Sequence, residues 1–182
     1  AYNGRGASKY YLGKYVEAIA DYNKAIELDP NFKEAYTGCG IAKRNLGKYA
    51  EAIANFDKAI ELDPNYKDAY YNRGGIKANV GKYAEAIADF DKAIELDPNY
   101  KDAYYNRSIV KSKLGKYTEA IVDYDKAISL DPNDKEAYNS RGNAKKNLGK
   151  HAEAIADYNK LIELDSSYKE AYYNRGIAKY YL

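Results

Sequence analysis

Residues 83–99 read YAEAIADFDKAIELDPN, and close copies of this stretch recur along the chain. Its apolar side chains fall at Tyr83, Ala86, Ile87, Phe90, Ala93 and Ile94, the i, i+3, i+4, i+7 spacing that lines one face of an α-helix. Strict alternation of apolar and polar residues, the mark of a strand, is absent throughout. Asp97-Pro98-Asn99 stops the helix, because proline lacks the amide that another turn needs. The same tripeptide offers Asp or Asn as a cap for the helix that follows. Equivalent prolines stand at Pro30, Pro64, Pro98 and Pro132, each 34 residues after the last, with Ser166 in the fifth position.

This period divides the chain into units 1–32, 33–66, 67–100, 101–134 and 135–168, the first lacking its two opening places. Residues 169–182 match the first half of a sixth unit and are expected to form a capping helix or half repeat. Each unit reads as two helices, Asp68–Val80 and Lys82–Leu96 in the third. Glycine follows leucine or valine at Gly13, Gly47, Gly81, Gly115 and Gly149, where a helix end needs a left-handed backbone. Two helices of this length cannot bury their apolar faces alone, so neighbouring units must stack. No linker interrupts them, which predicts one all-α array over 1–182.

Composition narrows the chemistry. The 182 residues are 46% hydrophobic and 31% charged, enough for a buried core in a water-soluble chain. A net charge of +2, with lysines alternating with acids along each helix, gives no basic face for nucleic acid or for an acidic membrane. No apolar run is long enough to span a membrane. One cysteine rules out an internal disulfide and fits a reducing compartment, so a cytoplasmic location is expected. One histidine leaves almost nothing for acid–base or zinc chemistry, the serines have no histidine at motif spacing, and no phosphate-binding glycine loop is present. Asp131-Pro-Asn-Asp-Lys-Glu has calcium-type oxygens without the glycine and final glutamate of a calcium loop. No enzyme, metal or cofactor is expected.

Numbering each unit from 1 to 34, place 8 is Gly6, Gly40, Gly74, Ser108, Gly142 and Gly176, and place 20 is always alanine. Place 24 is Tyr22, Phe56, Phe90, Tyr124 and Tyr158, and place 27 is alanine except at Leu161. Small residues where helices cross, with one large ring between them, allow close packing. This period and pattern resemble the tetratricopeptide repeat (TPR), and the resemblance covers essentially the whole chain. It implies a right-handed superhelical solenoid and a module that binds proteins or peptides in a concave groove. The chain departs from the family pattern at place 4, where Tyr replaces Trp, at place 7, which is usually Arg, and at place 11, which is always Lys.

An arginine at half-buried place 7 needs a counter-charge. Place 23 of the antiparallel second helix supplies one, pairing Arg5 with Asp21, Arg73 with Asp89, Arg107 with Asp123 and Arg141 with Asp157. In the second unit both places change together, to Cys39 and Asn55, so no bridge is expected there. Cys39 then reads as a small apolar filler, and His151 as a substitution at a packing place that is otherwise Tyr.

Places that vary between repeats without disturbing the pattern are free to meet a partner. On the first helix, places 5, 9, 12 and 13 share one face at helical spacing, the face that lines the groove in the family the chain resembles. In the second unit this face carries Ile41, Arg44 and Asn45, and in the third Tyr71, Gly75, Ala78 and Asn79, with Asn72 beside them. The fourth contributes Tyr105, Asn106, Ile109 and Lys113, the fifth Asn143, Lys146 and Asn147, and the last helix Tyr173. Tyrosines offer contact area at low entropy cost, and amides can hold an extended backbone. Gly75 and Ala78, flanked by Tyr71, Ile41 and Ile109, read as a notch for an apolar anchor. The carboxylate clamp of co-chaperones in the family is not matched, because place 5 is never Lys and place 2 is always acidic.

The chain opens at the third place of a repeat and contains no methionine, which reads as a segment of a longer array or an engineered one. The last helix lacks a polar outer face, so end-to-end self-association through it is expected. The principal reading is a receptor for an unidentified protein or peptide segment. The alternative is a passive spacer or designed repeat framework, favoured by units 67–100 and 101–134 agreeing at most places.

Overall fold

A computed structural model describes residues 1–182 as eleven α-helices joined by short turns. The helices fall into two compact units that part between Asp97 and Pro98, at a repeat junction. The fold class is all-α, built from helix-turn-helix pairs.

The unit Ala1–Asp97 contains α1 (Tyr2–Tyr11), α2 (Tyr15–Leu28), α3 (Lys33–Asn45), α4 (Tyr49–Leu62), α5 (Lys67–Asn79) and α6 (Tyr83–Leu96). Each helix packs on the next, and the first helices of successive pairs also touch, α1 on α3 and α3 on α5, whereas the second helices do not. Ala18, Ala52 and Ala86 are fully buried at the crossings, beside the rings of Tyr22, Phe56 and Phe90. Those rings explain the glycines opposite them. A Cβ on Gly40 would lie 2.9 Å from Phe56 Cζ, and one on Gly74 would lie 3.1 Å from Phe90 Cε1. Burying each ring contributes roughly 1.5–3 kcal/mol, and at Gly40 and Gly74 an added Cβ would crowd it.

The unit Pro98–Leu182 contains α7 (Lys101–Lys113), α8 (Tyr117–Leu130), α9 (Lys135–Asn147), α10 (His151–Leu164) and α11 (Lys169–Tyr180). Ala120 and Ala154 are fully buried, and Tyr124 and Tyr158 fill the crossings. Leu161, in the place that is alanine elsewhere, is also fully buried and packs with Ala137, Tyr138 and Ala171.

Two kinds of turn connect the helices. The glycine turns follow the sequence reading: Gly13, Gly47, Gly81, Gly115 and Gly149 all have φ between +72 and +81°. At the third, Gly81 N donates to Ala78 O and Lys82 N to Lys77 O at 2.8 Å, closing the end of α5. The Asp-Pro-Asn turns depart from it. The residue that opens the following helix is aromatic, Phe32, Tyr66, Tyr100 or Tyr168, and makes no side-chain cap. Only Asp134 caps, accepting from Ala137 N at 3.0 Å. The aspartate lies too early to reach the new helix and closes its own turn instead, Asp63 Oδ1 accepting from Asn65 N at 2.9 Å. A lysine that starts the first helix ties this turn to the same repeat, as Lys67 does with Asp97 and Lys135 with Asp165.

Candidate functional site

The charged residues of the repeats form a lattice between the two helices of each pair. In the first unit, Arg5 Nε donates to Asp21 Oδ2 at 2.8 Å, and Arg73 Nε and Nη2 donate to Asp89 at 3.0 and 2.6 Å. In the second unit, Arg107 holds Asp123 at 2.8 and 2.5 Å, and Arg141 holds Asp157 at 3.0 and 2.5 Å. The lysine one turn along completes each site, with Nζ 2.8–2.9 Å from the same aspartate at Lys9, Lys77, Lys111 and Lys145. Arg73 reaches back to Asp57 and Arg141 to Asp125, both at 2.6 Å. The Arg5 guanidinium, and then the Lys9 ammonium, hold the Asp21 carboxyl well below the usual carboxylate range. Where Cys39 replaces arginine, Lys43 Nζ donates to Asn55 Oδ1 at 3.2 Å and Asn55 turns its amide toward Tyr36 O.

These aspartates are almost fully buried, and Arg73, Arg107 and Arg141 are largely covered while Arg5 stays exposed, so the lattice serves as scaffold. Sequence reading missed the lysines as its third member. The available signal was a lysine at place 11 of every repeat, twelve residues before the aspartate. Cys39 is fully buried, its Sγ 3.5 Å from Asn23 Oδ1, and burial pushes its thiol up. His151 stacks on Tyr181, with ring centroids 5.7 Å apart at 24°.

The opposite sides of the first helices carry the variable places. In the first unit Arg44 Nη1 donates to Asn72 Oδ1 at 3.0 Å, and Asn45 Nδ2 donates to Ile41 O and to Tyr10 OH. Two of the singled-out polar residues are therefore bound to each other along the face. Tyr71 leans on Phe90, ring centroids 6.1 Å apart. Beside it, a Cβ added to Gly75 would meet nothing within 4 Å, and Ala78 is half-buried. Ile109, the other residue read into this notch, belongs to the second unit.

In the second unit α7, α8 and α9 enclose a cleft of about 370 Å³. Ile109, Ala144 and Tyr124 give it an apolar floor, while Lys113, Asn143 and Asn147 bring polar ends. Ser112 stands in its wall, with a buried hydroxyl that has no hydrogen-bond partner. Asn143 Oδ1 accepts from Tyr158 OH at 2.9 Å, which fixes the amide's orientation. Lys146 donates to Asn174 Oδ1 at 2.9 Å, repeating the Arg44–Asn72 contact, and burial lowers its pKa. Tyr105 packs edge-on against Tyr124 and is a half-buried ring set against two buried clusters. Asn106 is turned back on its own helix, donating to Asp102 O at 3.0 Å. Tyr173 lies well exposed on α11.

Models of the tetratricopeptide repeat match residues 1–32, 37–101 and 90–122, and a further TPR repeat model matches 110–149 and 142–182. The chain belongs to the tetratricopeptide repeat family. Among solved structures this TPR chain is similar to MamA, at 32% identity and a TM-score of 0.83, over 88% of this chain and 94% of the other. A MamA fragment from Desulfovibrio magneticus RS-1 gives 25% identity and 0.84, covering 92% and 95%. YrrB, described as a TPR protein with an unusual peptide-binding site, shares the fold at 22% identity and 0.80, over 96% and 90%. No match is found among curated proteins. As a TPR array the chain is a protein-interaction module, and none of its helices is long and apolar enough to cross a membrane.

Proposed function

We propose that this TPR chain binds an extended peptide or protein segment along the variable faces of its first helices. The observation that carries this reading is the cleft between α7, α8 and α9, where four of the residues singled out from sequence, Ile109, Lys113, Asn143 and Asn147, line one concavity. An apolar floor with a few polar groups at its ends suits a small hydrophobic anchor side chain whose backbone is held by amides. The first unit supports the same reading on a smaller scale, with Gly75 open beside the half-buried Tyr71. The Arg–Asp–Lys clusters are turned away from this face and tied up between the helices of a pair, so they give no support to chemistry on a bound segment.

The test is a peptide-display selection on the whole chain, repeated on a variant carrying Lys113→Ala, Asn143→Ala and Asn147→Ala with helicity matched by circular dichroism. A motif with a recurring apolar anchor, enriched on the parent and lost on the variant, supports the reading. Enrichment that the variant retains, or none on either chain, rejects this face as the site and favours a passive repeat framework.

A further inference from the structure

Four arginines of the first helices meet an aspartate with the same edge of the guanidinium. Nε and Nη2 donate side by side to the two carboxylate oxygens in Arg5–Asp21, Arg73–Asp89, Arg107–Asp123 and Arg141–Asp157. The remaining nitrogen, Nη1, can reach the neighbouring repeat, as from Arg73 to Asp57 at 2.6 Å. The two-pronged contact is how a planar guanidinium recognises a carboxylate.

Arg44, in the last turn of α3, is half-buried and keeps only the Nη1 contact. Its Nη1 donates to Asn72 Oδ1 at 3.0 Å. Asn72 Nδ2 donates to Asp68 O at 2.8 Å, which turns the amide oxygen toward the arginine. That acceptor is neutral, and the Nε–Nη2 edge of Arg44 has no partner. Places 5, 9, 12 and 13 of α1, α3 and α5 hold no acidic residue, and Arg44 is the one charged residue among them. One turn along α5 from Asn72 stands Gly75, where an added Cβ would meet nothing within 4 Å, so there is space beside the pair. A half-buried cation without a counter-charge is a costly arrangement for stability alone.

We infer that Arg44 is a subsite for an aspartate or glutamate side chain of the bound segment, its Nε and Nη2 groups donating to the two carboxylate oxygens while Asn72 holds Nη1. The inference rests on the reading of the inner face as the binding surface, and it adds the partner's charge: the segment is acidic as well as apolar. One chain thus uses arginine in two ways. Arg73, at place 7, spends this edge on Asp89 inside its repeat, whereas Arg44, at place 12, presents it on the variable face. A cation in the last turn of α3 also suits the helix dipole. That role alone gives no preference between an acid and its amide, which is what the test reads.

The test uses the whole chain and a library of random peptides joined through their C-termini, so that no terminal carboxylate is offered. The most enriched peptide is then synthesised with an amidated C-terminus, beside a counterpart in which its acidic residue is replaced by the matching amide. Both are titrated by fluorescence anisotropy. The acidic peptide is expected to bind about tenfold more tightly, the scale of one charge-assisted hydrogen-bonded pair, and the difference should shrink with added salt. Arg44→Gln, matched in helicity by circular dichroism, should leave the two peptides equal. Arg44→Lys, which keeps the charge without the fork, should retain part of the difference. An enriched motif with no acidic residue overturns the inference while the groove reading stands. A preference for the acid that survives Arg44→Gln overturns it as well. No enrichment at all overturns both.

Discussion

Arg73 and Asp89 meet through two parallel hydrogen bonds of 3.0 and 2.6 Å, with the aspartate side chain only 6% exposed. Burial works against the charge on Arg73, but Asp89 and Asp57 together raise its pKa above the ordinary arginine value. Lys77 approaches the same carboxylate to 2.9 Å. Such a cluster contributes modest net stability against an apolar replacement, yet becomes costly when one member is removed.

Asp89→Asn is therefore expected to lower unfolding stability by about 3 kcal/mol, because it leaves covered cations without their main counter-charge. Adding Arg73→Cys reproduces the Cys39–Asn55 combination of the second repeat and should restore part of that loss. Urea unfolding of the single and double variants checks this. A double variant no more stable than the single would show that the two places are not coupled.

Glycines at place 8 should divide by what lies over them. Gly142→Ala puts a Cβ 2.7 Å from Tyr158 Cε1 and should cost about 1–3 kcal/mol through overpacking. Gly176→Ala meets nothing and should be neutral or stabilising by up to about 1 kcal/mol, the ordinary helix preference for alanine. Thermal unfolding of both variants decides the point, and equal effects would refute it.

The repeat made the fold legible. A 34-residue period, a ring at place 24 and glycine at place 8 describe how Phe90 sits on Gly74 before any coordinate is known. The Arg–Asp pairings could be proposed because Cys39 and Asn55 changed together. Less was legible where one residue serves two repeats: Asp57 and Asp125 lie in the repeat before the arginine they contact, and within-repeat comparison did not reach them. The helix caps differ from the expectation because the aspartate stands three residues ahead of the helix-opening position and accepts from the amide two residues on instead, in the Ser166 turn as in the proline turns. Variability marked the inner face but could not separate exposed Tyr173 from Tyr105, whose ring is shared with the core.

Acid should weaken the array through its turn aspartates and through Asp21. Asp21 is lowered chiefly by Arg5, Asp63 by Lys33 and Asp131 by the Asn133 amide, and Asp165 falls to about 2 through Ser167 and then Lys135. A folded-state pKa below the ordinary 3.8 means stability that is fully present above that value and lost as pH falls through the lowered one. Thermal midpoints should be level down to about pH 5 and fall toward pH 2, with the fall reduced in Asp165→Asn. A level profile to pH 2 would contradict the assignment.

Tyr105 and Tyr173 occupy equivalent places and should answer differently to alanine. Tyr105 packs against Tyr124 and is set against two buried clusters, and burial pushes its hydroxyl pKa up. Removing its ring should cost about 3 kcal/mol, as for other large core side chains. Tyr173 is 72% exposed, so Tyr173→Ala should stay within about 0.5 kcal/mol of the parent. Urea unfolding measures both. A destabilised Tyr173→Ala would mean that α11 depends on its outer tyrosines for folding, and binding losses from mutating them would then report on structure rather than on contact with a partner.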